Sequence, residues 1–61
     1  MEDGKYKVIK EIHVYSCIHG QLRMGVGAIF EIRDFGETAR TGNVLFSPEL
    51  LKYCEGKFVK I

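Results

Sequence analysis

Cysteine is scarce in this chain, and so is an excess of charge of either sign. Two cysteines, Cys17 and Cys54, are too few for a disulfide scaffold. A bridge between them would stabilise a small fold by about 3–4 kcal/mol through chain entropy. A reducing compartment disfavours that bridge, so two free thiols, buried or half-buried, are expected. Nine Lys and Arg stand against eight Asp and Glu, for a net charge of +1. Such balance excludes the strong steering toward nucleic acid that a clustered basic excess gives. No apolar run approaches the roughly 20 residues of a membrane-crossing helix. Met1-Glu2-Asp3-Gly4 carries acids where a secretory signal would carry Lys or Arg. A cytoplasmic protein without a membrane partner is expected. No repeat, linker or low-complexity segment is present.

What the chain does have is alternation. Its 61 residues make one domain, near the lower limit at which a single core suffices. With 46% hydrophobic and 28% charged residues it has the composition of a folded protein. From Val8 to Ile18 the even positions are Val8, Lys10, Ile12, Val14, Ser16 and Ile18. From Leu22 to Ile32 the even positions are Leu22, Met24, Val26, Ala28, Phe30 and Ile32. A period of two, rich in β-branched residues, predicts two long strands, each with one buried face. His19-Gly20-Gln21 lies between them.

A two-residue turn at His19-Gly20 would pair Ile18 with Gln21 and Val14 with Gly25. The even face of one strand would then oppose the odd face of the other. Aligning both apolar faces needs one extra residue, as in a three-residue turn or a β-bulge. Gly20, Gly25 and Gly27 permit such a device, and glycine-kinked long strands curl a small sheet into a barrel. The alternative is a flat hairpin whose outer face carries part of the core. Asp34 to Gly42 holds two glycines and no apolar period, which predicts an exposed loop. Asn43 to Phe46 reads as a short strand. Ser47 is a good N-cap, Pro48 suits the first helical position and Glu49 the positive end of the dipole. Two helical turns should follow, with Leu50 or Leu51 and Cys54 facing inward and Gly56 as the stop. Lys57 to Ile61 is the closing strand.

Tyr6-Lys7-Val8-Ile9-Lys10, Gly27-Ala28-Ile29-Phe30-Glu31-Ile32, Glu49-Leu50-Leu51 and Gly56-Lys57-Phe58-Val59-Lys60-Ile61 follow in an order that resembles small SH3-like proteins of phage and bacteria. The resemblance is one of pattern and covers most of the chain. It implies a mainly β fold, a small SH3-like barrel of four to five antiparallel strands with one short helix before the last. It also implies a final strand that returns to pair with the first. The aromatic cluster and acidic loop that grip proline-rich peptides are not recognisable, so that specificity does not carry over.

Each candidate for chemistry has a plainer explanation. His13, Cys17 and His19, with Cys54 as a fourth, are ligand types zinc favours, but their spacing matches no usual paired-ligand knuckle. No metal and no cofactor is expected. Cys17 as a nucleophile beside His13 or His19 would need a lowered pKa and a substrate pocket that so short a chain can hardly wall. Asp34-Phe35-Gly36 spells the magnesium-binding trio of protein kinases without the rest of that machinery. Gly25-Val26-Gly27 lacks the lysine and following helix of a phosphate loop, and curvature accounts for it.

Tyr15, Arg23, Arg33, Phe35 and Arg40 form the most informative surface set, because Arg and Tyr dominate interface hot spots. An ordinary solvated sheet face is the alternative. Phe35, an aromatic in a glycine-flanked loop, stands out among them. The expectation is a non-enzymatic module that binds another protein through the Asp34–Gly42 loop and the neighbouring arginine-bearing strand, such as an accessory protein of a phage or mobile element. Nucleic-acid binding and self-association through an open sheet edge are the alternatives.

Overall fold

A computed structural model describes all 61 residues, and it is mainly β with one short helix. The strands are β1 (Gly4–Val8), β2 (Ile12–Ser16), β3 (Gly20–Met24), β4 (Ile29–Arg33), β5 (Thr38–Thr41), β6 (Val44–Phe46) and β7 (Phe58–Lys60). A 3-10 helix, Pro48–Cys54, precedes β7. Five strands form one antiparallel sheet in the order β6-β5-β4-β1-β7, and β2 with β3 forms a second. The two sheets do not close into the barrel expected from the sequence. There are seven strands, not four to five, because both long ones are broken and Thr38–Thr41, expected as loop, adds another.

The break is a shared bend. Ile12 opposes Met24 and Val14 opposes Leu22 in one sheet, while Tyr6 opposes Phe30 and Gly4 opposes Ile32 in the other. Paired residue numbers add to the same total in both, so a single register runs through the whole ribbon from Gly4 to Ile32. At the bend the Lys57 carbonyl accepts from the amides of both Ile9 and Lys10, at 2.8 and 3.2 Å. Opposite, Gly25 to Ala28 makes a turn closed by Ala28 N–H to Gly25 O at 3.1 Å. Gly27 takes φ +94 there, a value that excludes a side chain without strain. Its N–H still reaches Val8 O, and Val8 N–H reaches Ala28 O, both at 2.9 Å. The ladder thus survives the bend.

At the far end the turn is Cys17-Ile18-His19, three residues long, bounded by the pair Ser16 and Gly20. That odd number aligns even positions with even positions and joins the two apolar faces. Tyr6, Val8, Ile12, Leu22, Met24, Phe30 and Ile32 are all buried as a result. Three even positions depart from the sequence expectation, Lys10 among them, exposed at the bend. Ile18 lies in the turn and Val26 in the bend, 86% and 70% exposed respectively.

Phe30 is the centre of the core. Its ring stacks on Tyr6 at 5.3 Å and meets the edges of Phe58 and Phe46 at 5.4 and 6.0 Å. Aromatic pairs of this kind contribute about 0.5–1.5 kcal/mol each beyond their buried area. The helix closes the other end. Ser47 Oγ accepts from Glu49 N–H, Pro48 occupies the first turn, and Leu50, Leu51 and Cys54 are all buried. After Gly56 the chain returns as β7 to pair with β1, Val8 opposite Phe58 and Tyr6 opposite Lys60.

The segment from Asp34 to Gly42 is not wholly a loop. Thr38 to Thr41 is strand β5, and Ala39 is buried against the core. One small apolar residue in four gives no readable period, and pairing on both sides, with β4 and β6, holds the strand. No helix is long and apolar enough to cross a membrane.

Candidate functional site

The single register fixes what lies outside. Because even side chains of β1 and β4 turn inward, the odd ones share the outer face. Lys5 opposes Glu31, and Glu31 opposes Arg40 on the other side. Arg40 in turn opposes Leu45 on β6, and Lys7 lies between Ile29 and Val59. Arg33, at the end of β4, holds Glu31 through Nε to Oε1 at 3.0 Å. Four cations, Lys5, Lys7, Arg33 and Arg40, therefore share this face with one acid, Glu31, and with Asp34 at its margin. The balanced total charge conceals this cationic sheet surface. Ile29, Leu45 and Val59 lie among the charges and are exposed. Two shallow depressions, one bordered by Lys5 and Ile29 and the other by Arg33 and Leu45, share Glu31 and Arg40.

At the tip of the β4–β5 hairpin the backbone takes an unusual course. Asp34 and Phe35 adopt φ +55 and +58, the left-handed region that bulky residues avoid. Holding an L-residue there costs about 1–2 kcal/mol. The N-terminal segment secures the turn, since Asp3 accepts from Phe35 N–H at 3.1 Å and Gly36 N–H at 2.9 Å. Thr38 Oγ1 donates to the Asp34 carboxylate at 3.2 Å. The outcome is a phenylalanine ring 98% exposed.

The five residues singled out from the sequence divide between two surfaces. Arg33, Phe35 and Arg40 gather on the β4–β5 hairpin. Tyr15 and Arg23 lie on the outer face of the β2–β3 sheet, opposite Gln21 and His13 respectively. Lys5, Lys7 and Leu45 went unnoticed in the sequence. They join the set only through pairing between distant strands, and the regular odd spacing of Lys5 and Lys7 was the available signal. Asp3 was also missed, because its role is a contact across most of the chain.

The metal and nucleophile candidates are dispersed. His13 Nε2 lies 3.4 Å from Gln21 Nε2, and His19 Nδ1 lies 3.2 Å from Ser47 Oγ. Cys17 is exposed in the turn, and Cys54 is buried with its Sγ donating to Leu50 O at 3.5 Å. Burial pushes the Cys54 thiol pKa up, away from the thiolate. Both thiols are free, and no three His, Cys, Asp or Glu side chains are gathered where they could hold a metal ion. Asp34 of the kinase-like trio bonds to Thr38, and Gly25-Val26-Gly27 makes the bend.

Comparison with family models, with curated proteins and with solved structures found no significant match.

Proposed function

We propose that this chain is a non-enzymatic interaction module of SH3-like fold that binds another protein. Support for the fold comes from the order of its elements: a bent hairpin, two short strands, one helical segment, and a last strand on the first. The observation that carries the binding reading is Phe35. A bulky aromatic held on a left-handed backbone is strained, and such positions persist where the surrounding structure holds them for use. Arg33 and Arg40, on the same β4–β5 hairpin, supply the planar, bidentate charge that recurs in interface hot spots.

The test is capture with purified components. Partners enriched from a native extract are identified and prepared, then titrated against the wild type and Phe35→Asn. Asparagine tolerates the left-handed region, so this variant should gain about 0.5–1 kcal/mol in denaturant unfolding. Its affinity for the true partner should nevertheless fall roughly tenfold or more. Equal affinity of the two proteins would refute the site.

A further inference from the structure

Strand β6 is an edge of the five-stranded sheet, three residues long and without a charge or proline to blunt it. Proteins usually blunt such an edge with lysine, proline, a bulge or a covering segment. The residues of β6 are Val44-Leu45-Phe46, with no charge among them, and Val44 and Leu45 are 62% and 72% exposed. At the opposite edge, β7 carries Lys60, which is ion-paired to Glu2. The two edges differ in kind.

The turn before β6 shows which backbone groups are open. Gly42 and Asn43 connect Thr41 to its partner Val44. With Gly42 at φ +59, this is a two-residue hairpin turn. In such hairpins the closing pair exchanges both ladder hydrogen bonds, and the next residue turns its N–H and C=O away. Here the next residue is Leu45. Its backbone donor and acceptor face the open edge.

Side-chain chemistry on the two faces of β6 indicates what would sit beside it. On the outer face Leu45 borders a depression lined by Arg40, by Arg33 with its ion-pair partner Glu31, and by Asp34. Asp34, at its rim, already accepts from Thr38. Lys5 lies one strand further along, past Glu31. On the inner face are the exposed Val44 and the half-buried Phe46, which packs on the core. A strand added there would place alternate residues over a cationic surface and an apolar one. No aromatic side chain projects from the outer face of the five-stranded sheet, so a platform for stacking nucleic-acid bases is missing there. A second copy would present Val44-Leu45-Phe46 and bring no acid to the arginines.

We propose that β6 receives an extended segment of a partner protein in which acidic and apolar residues alternate. Leu45 N–H and C=O pair with its backbone, its acids lie toward Arg40 and Arg33, and its apolar side chains lie on Val44 and Phe46. This proposal rests on the protein-binding reading above and names the chemistry of the partner.

A synthetic peptide of alternating glutamate and valine is the probe, with a lysine–valine peptide as its counterpart. The isotope-labelled protein is titrated with each, followed by amide shifts and by hydrogen exchange at Leu45. The acidic peptide should bind and slow exchange at Leu45, whereas the basic one should not. Leu45→Pro removes the outward donor, a replacement that an edge position tolerates, and should weaken binding roughly tenfold. Leu45→Ala, which keeps the N–H, should weaken it less. Arg40→Ala should cost roughly fivefold and flatten the salt dependence. If Leu45→Pro fails to fold by circular dichroism, exchange at Leu45 in the wild type and the Arg40→Ala titration decide the matter.

Equal binding of the basic peptide, or no binding at millimolar concentration, would overturn the proposal. So would an oligonucleotide protecting the Leu45 amide in the peptide's place, or a dimer in sedimentation that Leu45→Pro dissolves. A purified partner whose affinity depends on Phe35 but ignores Leu45→Pro would remove the edge proposal and leave the binding reading standing.

Discussion

The two halves of the bent ribbon share a register and a pattern, yet they sit in different surroundings. In the β1–β4 half, β5 and β7 extend the sheet on either side, and the inward residues meet an aromatic cluster. In the β2–β3 half no strand flanks the pair, and Val14 is only partly buried against the core. The helix supplies its cover. Alternation alone therefore does not determine how much a position contributes to stability; the neighbours brought in by distant segments do. The same holds outside. The odd positions of β1 and β4 become a broad charged surface only because β5, β6 and β7 widen it.

Substitutions at inward positions of the two halves should separate them most. Phe30→Ala removes the ring that Tyr6, Phe46 and Phe58 all contact, and about 3–5 kcal/mol should be lost. A domain of this size rarely has more than about 3–5 kcal/mol to lose, so no cooperative thermal transition should remain. Val14→Ala, in the other half, should cost only about 1 kcal/mol and leave a cooperative transition at lower temperature. Equal losses at the two positions would show that the halves are packed alike.

Acid and alkali offer a finer comparison. The Lys60 ammonium hydrogen-bonds to Glu2 and holds its carboxyl below the usual range, tying the start of the chain to β7. Lys52 does the same for Glu49 on the helix, at 2.6 Å. Each depressed carboxyl contributes stability above the ordinary carboxylate range, lost as pH falls through the lowered value. Each partner lysine is raised, so its contribution is present below the ordinary lysine range and lost as pH rises through the raised one. Both pairs are solvated, so the effects should be small and shrink with salt. Denaturant midpoints followed against pH should lose part of their acid dependence in Glu2→Gln and another part in Glu49→Gln. An unchanged acid limb in both variants would exclude these pairs as its source.

Much of the fold was legible because period-two alternation and a capped helix are local signals. Val8, Ile12, Leu22, Met24, Phe30 and Ile32 read as one inward set, and the structure buries them together. The extra turn residue followed from face alignment alone, and the structure supplies it as Cys17-Ile18-His19. The bend was half visible: Gly25 and Gly27 marked one strand, while the other read as unbroken through Lys10. Strand β5 was not visible, since Thr38-Ala39-Arg40-Thr41 has one small apolar side chain and depends on its neighbours. Of the site, the exposed Phe35 was legible from its flanking glycine and lack of periodicity. The alliance of Lys5, Glu31, Arg40 and Leu45 was not, because it depends on strand β5 and on the long-range pairing of β1 with β4.

Register is the claim on which the core, the outer face and the free edge all depend. Cross-strand proton contacts measured by nuclear magnetic resonance read it directly. The account predicts contacts of Val14 with Leu22, Ile12 with Met24 and Tyr6 with Phe30. Contacts of Val14 with Gly25 and of Ile18 with Gln21 would mean a two-residue turn and opposed faces, and would contradict it.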